Sequence, residues 1–316
     1  MIRFILAKLL GVVLVMFIVA TVVFVISHII PGDPAAVMLG AAATAEDVER
    51  LRKAFGLDAP LLTQYAGWLW QLLQFDLGQS IFLGQSVGAA MLQRAELTLT
   101  LCIFATTLAA AIGIPLGILA AVRRGQPIDQ ASTALALLGA SLPSFWLGLL
   151  LIQYLGVKAG WFPVSGYGAP GASFPERAYH LILPAIALAL PNAVLILRIT
   201  RTTMLDVLSQ DYIRTAEAKG LGRASVILKH ALRNALIQIL TIVGLTATIM
   251  IGGTVVTETV FGLPGVGYLI VNAVLRRDYP VIQGVLMVVS GIYVLINLVI
   301  DLLYVAIDPR LRRKVA

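Results

Sequence analysis

The residues of this 316-residue chain that could do chemistry are few. His28, His180 and His230 are far apart and fall into no metal-ligand spacing. The single cysteine, Cys102, lies inside an apolar run; it supports neither an intrachain disulfide nor a cysteine-based metal site. Ser141, in the stretch GASL at 139–142, has the setting of an intramembrane nucleophile, but a serine nucleophile needs a base within hydrogen-bond reach. His28 and His180 sit near the outer ends of apolar runs, and His230 lies in a polar loop. Ser141 therefore reads as part of a small-residue helix contact with Gly139 and Ala140. Asp301, one turn after Asn297, is an acid within an apolar run; it reads as an interhelical hydrogen bond near a water interface rather than a proton or substrate site, because no chain of further acids accompanies it. H-E-x-x-H, G-x-S-x-G, G-x-G-x-x-G and G-x-x-x-x-G-K-[ST] are all absent. The expectation is a chain with no catalytic residue, no metal site and no bound nucleotide or other cofactor of its own.

The elements that would position any site are apolar. The chain is 59% hydrophobic and 12% charged, with mean hydropathy +0.93. A soluble domain carries about 25% charged residues, so this chain cannot cover a water-facing surface. Several runs exceed the roughly 18 apolar residues that mark a spanning helix. The net charge of +7 could suggest nucleic acid, but no basic run carries interleaved aromatics. Cytoplasmic loops of membrane proteins collect Lys and Arg, and lipid is the expected partner.

Spans are expected at 9–30, 97–121, 131–157, 180–200, 237–260 and 281–307. Arg3 and Lys8 precede a first run too long for a signal-peptide core and followed by no A-x-A site, so it reads as a retained span. With the N-terminus in the cytoplasm, 15 of the 23 Lys and Arg fall inside; that bias puts both termini in the cytoplasm. Residues 31–96 then lie outside. Thr44 and Asp47 make a cap pattern ahead of Val48, Leu51 and Phe55 at helical spacing. A second amphipathic helix follows, with Tyr65, Trp68 and Trp70. Trp and Tyr favour the headgroup zone, so a small helical cap on the outer membrane face is expected. No pair of opposite charges is read inside the spans, which argues against an ion-driven carrier.

One cytoplasmic stretch interrupts this pattern: DYIRTAEAKGLGRASVILKHALRNAL, 211–236. On a helix Ile213, Ala216 and Gly220 share a narrow face, suited to close approach by another protein, flanked by Arg214, Glu217 and Lys219. Gly220 and Gly222 stop that helix, and a second short one follows. Partner docking and a solvated hairpin on the headgroups both fit these residues.

The stretch resembles the cytoplasmic EAA loop of ABC-importer permeases, with Gly220 on the glycine of E-A-A-x-x-x-G. Arg214 and Thr215 stand where the general pattern has Glu and Ala, and Ala216 matches. Arg-Thr-Ala resembles the peptide-permease branch. HIIPGDPA, FDLGQS, GIPLGILAAVRRG, SLPSFWLGLLLIQ, HLILPAIALAL, TETVFGLPGVGYL, RRDYPVIQG and DPRLRRK, in that order, resemble one half of a dipeptide/oligopeptide permease; glutathione and nickel permeases share the set.

The resemblance implies an all-α, six-span, type I ABC-importer permease fold with a small outer helical segment. The implied division is an N-terminal span plus outer segment at 1–95, a permease domain at 96–307 with its coupling loop at 201–236, and a basic cytoplasmic tail at 308–316. It implies a second, similar permease subunit, two cytoplasmic ATPases carrying ATP and Mg, and an extracytoplasmic solute-binding protein. The ATPase-coupling residues would be Arg214, Thr215, Ala216, Glu217, Lys219 and Gly220. The stretch with Phe261, Gly262, Pro264, Gly265 and Gly267 could close the outer mouth. The implied cargo is short peptides and the implied place the bacterial cytoplasmic membrane. A stand-alone secondary transporter would need an intramembrane ion site, and an intramembrane hydrolase a Ser/base pair.

Overall fold

The computed structural model describes residues 2–29, 33–40, 43–54, 56–169 and 171–307, with side chains except at 2–7, 34, 137, 140 and 300–307. The tail at 308–316, Phe55 and the side chains of Ala140 and Asp301 lie outside them. Among the described residues the regular elements are all helices, joined by turns and loops, with one isolated bridge, Gln79 to Ser86. They divide into two compact units, Met1–Glu96 with Gly265–Val299, and Leu97–Pro264.

In the first unit α1 (Ile2–Ile29) is followed by α2 (Pro34–Leu39), α3 (Ala45–Ala54) and α4 (Leu61–Leu73). The Asp33 carboxylate caps α2 by accepting from Ala35 N–H at 3.0 Å. The cap pattern at Thr44 forms: Asp47 N–H donates to Thr44 Oγ1 at 3.2 Å, and Thr44 Oγ1 donates back to Asp47 at 2.6 Å. Tyr65 and Trp68 pack on Phe24 of α1, at centroid distances of 5.1 and 5.8 Å. Trp70 is the exposed one. His28 is satisfied structurally, through the Phe24 carbonyl at 2.8 Å and Gln64 Oε1 at 3.2 Å. Near the end of this unit's chain come α13 (Val266–Arg276) and the start of α14 (Tyr279–Ile307). Asp278, buried between those helices, accepts from Ser80 Oγ at 2.5 Å and from the Ile81 and Phe82 amides at 3.3 Å each. Two stretches nearly two hundred residues apart, FDLGQS and RRDYPVIQG, are thus one clamp.

The second unit takes in most of α5 (Val87–Val122), then α6 (Pro127–Ser141), α7 (Ser144–Leu151), α8 (Phe174–His180), α9 (Ile182–Leu208), α10 (Asp211–Ala218), α11 (Arg223–Ser225) and α12 (Leu232–Val260). Its interior is built from small residues. A Cβ on Gly113 would sit 2.6 Å from the Ala193 carbonyl, and one on Gly117 would sit 2.7 Å from Thr200 Cβ and 2.8 Å from the Leu197 carbonyl. This G-x-x-x-G pair lets α5 and α9 touch backbone to side chain, the contact that drives helix association where lipid removes any hydrophobic advantage. Gly139 of α6 meets Val194 of α9 in the same way, at 2.7 Å, and Ser141 beside it is exposed.

Among the described residues, five helices are long and apolar enough to cross a membrane. The expected third span, 131–157, is not one helix. Leu142 is extended, at φ −92 and ψ 121, because a residue before proline is pushed out of the helical region. Pro143 therefore separates α6 from α7, and α7 continues only as a π-helical stretch, Ile152–Lys158. Pro115 and Pro191 stay inside α5 and α9.

Candidate functional site

The segment after α9 is shaped by two backbone facts. Gly220 has φ +78, the left-handed region that suits glycine after a helix. Its N–H donates to the Glu217 carbonyl at 2.9 Å, and Leu221 N–H donates to the Ala216 carbonyl at 3.3 Å. That pair of bonds is the Schellman pattern. Gly222 is different: its φ of −60 and ψ of 141 suit any residue. The second helix is not short, as expected, but runs without a break from Arg223 to Val260. Its first turns are π-helical over Val226–Ala231. The reason is continuity of apolar packing: Val226, Ala231, Ala235 and Ile239 are all buried in one cluster.

The face of α10 turned to that cluster is Ile213 and Ala216, at 1% and 7% exposure. They pack with Met204 of α9 and Ala121 of α5. The reading that Ile213, Ala216 and Gly220 present a face to another protein is corrected: two of the three are covered by this chain itself. Periodicity finds the apolar face but not what covers it. The outward face carries Arg214, Thr215, Glu217, Lys219 and Gly220, all exposed, together with exposed Tyr212 and Leu221. Arg214 lies 3.7 Å from Asp211, a surface pair of little energetic consequence. Beside this face a cavity of about 310 Å³ is lined by Val122, Arg124, Leu208, Glu217 and Arg223, among others.

The loop entering α6 is tied to the same region by an ion pair that the sequence did not reveal. Arg201 of α9 donates Nε to Asp129 Oδ1 at 2.5 Å and Nη2 to Oδ2 at 2.9 Å. Asp129 Oδ2 also accepts from Gly125 N–H at 2.9 Å. These hydrogen bonds, the arginine's first, hold the Asp129 carboxyl down at about 2. The expectation of no opposed charges within the helical body needs this amendment at its edge. The pair closes the α5–α6 turn onto α9, about two turns before α9 ends and leads to α10.

At the opposite end of α12 a second Schellman turn ends the helix. Gly262, at φ +58, donates to the Thr259 carbonyl at 3.3 Å, and Leu263 to the Glu258 carbonyl at 2.8 Å. Phe261 is 2% exposed. Its ring occupies the place a Cβ on Gly148 would need, 3.1 Å away, and its carbonyl accepts from Gly166 N–H at 3.1 Å. Of the expected outer-gate residues, Phe261, Gly262 and Pro264 fall in the second unit. Gly265 and Gly267 fall in the first, where Gly265 precedes α13 and Gly267 is buried within it.

Glu258 is the residue that sequence reading missed. It is fully buried in α12, and Thr98 Oγ1 of α5 donates to its Oε1 at 2.7 Å. It stood in plain view in TETVF, but its partner is 160 residues away. Among the described residues no three His, Cys, Asp or Glu side chains are grouped to hold a metal.

A membrane body of small-residue helix contacts, with a capped polar helix standing on it, defines an integral membrane component. The chain belongs to the family of binding-protein-dependent transport system inner membrane components, whose model matches residues 113–313; the family's N-terminal model matches residues 1–102. The dipeptide transport system permease protein DppB of Escherichia coli K12 is 40% identical, covering 99% of this chain and all of that one. A probable peptide ABC transporter permease protein of Sinorhizobium fredii, y4tP, is 43% identical over 98% of this chain and 99% of its own. An inward-facing structure of the MetNI methionine ABC transporter shares the fold, with TM-score 0.59 at 19% identity over 69% of this chain and 96% of that one.

Proposed function

We propose that this chain is the permease subunit of an ATP-driven importer of short peptides and receives motion from partner ATPases through the outward face of α10. The observation that carries the coupling role is the exposed, charged face at Arg214, Thr215, Glu217 and Lys219 on a helix whose other side is locked to α9 and α12. Force applied to such a helix passes to the spans. Ala216 then acts from beneath, seating the helix, and Gly220 ends it. The peptide cargo is supported by the names of the relatives, which match along nearly their whole length.

In this reading both termini and the 201–236 loop are cytoplasmic, and the basic tail at 308–316 lies on that side. The 1–95 and 96–307 division separates outer segment from permease domain. Six crossings result if the third is the helix pair interrupted at Pro143. ATP and Mg are held by two ATPases, a second permease completes the pathway, and a solute-binding protein delivers cargo outside. The turn from Phe261 to Gly267 contributes to closing the outer mouth.

The test is reconstitution with these partners and a labelled tripeptide. ATP-dependent uptake is expected. Uptake by this chain alone under an imposed proton gradient, with no ATPase, would overturn the reading in favour of a secondary carrier.

A further inference from the structure

The first unit contains a cavity of about 240 Å³ whose wall carries Arg94 and Arg276, with Tyr268, Asn272, Phe82 and Asp278 around them. Arg94 spends one donor on its own helix, Nη1 to the Ala90 carbonyl at 2.8 Å. Arg276 stands over the Phe82 ring at 6.0 Å. Neither makes an ion pair with any described residue. The acid at the cavity, Asp278, makes no ion pair with either; its oxygens accept from Ser80 Oγ and the Ile81 and Phe82 amides. Two guanidinium groups line one concave space, and an anion entering it would be attracted by both. Guanidinium groups fit carboxylates and phosphates through paired N–H donors.

Under the topology proposed above, both arginines lie outside, one of them in the short connection between α12 and α14. The charge bias of membrane proteins works against arginine there, so its presence calls for a role. The space is smaller than the roughly 300–1,000 Å³ of pockets for drug-sized ligands, which suits one end group rather than a whole ligand.

We infer that Arg94 and Arg276 form a receptor for the terminal carboxylate of the incoming peptide. A site of this kind recognises every peptide by the one group all peptides share, and leaves the side chains unread. The inference rests on the peptide reading, and commits to the cargo's carboxylate over a lipid phosphate.

The experiment uses the full complex in nanodiscs of zwitterionic lipid. Arg94 and Arg276 are modified with phenylglyoxal and followed by peptide mass spectrometry, with exposed Arg50 as reference. Trialanine is expected to slow modification of both arginines by about threefold or more, as a charge-assisted contact should, and trialanine amide to have no effect. In Arg94→Gln, protection of Arg276 is expected to disappear, and in Arg94→Lys to persist in part. Equal protection by acid and amide, or no protection by either, overturns the inference. Protection by inorganic phosphate alone, or by anionic lipid without peptide, overturns it in favour of a phosphate site. Trialanine uptake by the same wild-type complex is measured alongside. Uptake without selective protection removes this site and leaves the peptide reading standing; no uptake removes the peptide reading.

Discussion

Gly220 and Gly222, two residues apart, give a controlled experiment on the coupling segment. At neither position would an added Cβ meet anything within 4 Å, so crowding is absent from both. Only conformation differs: φ is +78 at Gly220 and −60 at Gly222. An L-residue in the left-handed region costs about 1–2 kcal/mol. A β-branched residue there is a stronger outlier, while Asn visits that region with much less cost. If the turn opens instead, it gives up the Gly220 and Leu221 hydrogen bonds, about 0.5–1.5 kcal/mol each and less where water replaces them. Either route shifts the seated turn by roughly 1–3 kcal/mol, and about 1.4 kcal/mol is tenfold in population. Substrate-stimulated ATPase activity of the assembled complex should therefore fall about tenfold or more in Gly220→Val. Gly220→Ala should fall less, Gly220→Asn should stay near wild type, and Gly222→Ala should be unchanged. Subunit assembly, read by size-exclusion chromatography, should be normal in all four. Equal losses in Gly220→Val and Gly220→Asn would refute the conformational reasoning, as would normal coupling in an assembled Gly220→Val complex.

Four further outcomes are expected. Asp129→Asn breaks a largely buried pair with Arg201 and should lower the thermal stability of the complex, by about 2–4 kcal/mol. The Asp129 carboxyl is depressed from 3.8 to about 2, so its contribution, about 2 kcal/mol, is whole above pH 3.8 and is lost as pH falls through 2. Acid unfolding of wild type should therefore show a component in that window that Asp129→Asn lacks. Gly117→Ala must push against the Leu197 carbonyl and Thr200 and should cost about 1–3 kcal/mol, read as a lower melting temperature; Gly125→Ala, at φ +76 in open space, should lose only the backbone-strain part. Ser141→Ala should leave uptake near wild type, and abolished uptake would point to a chemical role for Ser141.

What could be read from the residues was whatever depends on local pattern. Hydropathy located five of the six expected spans because a spanning helix must be apolar along its length. The Thr44–Asp47 cap and the stop at Gly220 follow from chemistry within a few residues. The break at Pro143 was harder: Pro115 and Pro191 sit within helices here while Pro143 ends one. Whether a freed carbonyl finds another partner is settled by neighbouring helices, and no window of sequence contains them.

The pairings that shape the candidate sites are all non-local. Asp129 with Arg201, Thr98 with Glu258, and Ser80 with Asp278 are 72, 160 and 198 residues apart. Each joins a turn or helix end to another element, where polar groups leave the helix's own ladder and need partners. Glu258 shows why such residues are easily passed over. Its backbone carbonyl anchors the turn at Gly262, while its side chain meets Thr98 of α5. The TETVFGLPG stretch is thus fixed at two points for two reasons, and only the turn is visible in the sequence. The same division holds at the other end of α12. Gly220 announces a turn by residue type, whereas the burial of Ile213 and Ala216 depends on Met204, Ala121 and Ile239 arriving from three other helices. A face that seems made for a partner is spent inside the chain, and the residues left for the partner are the charged ones that periodicity passes over.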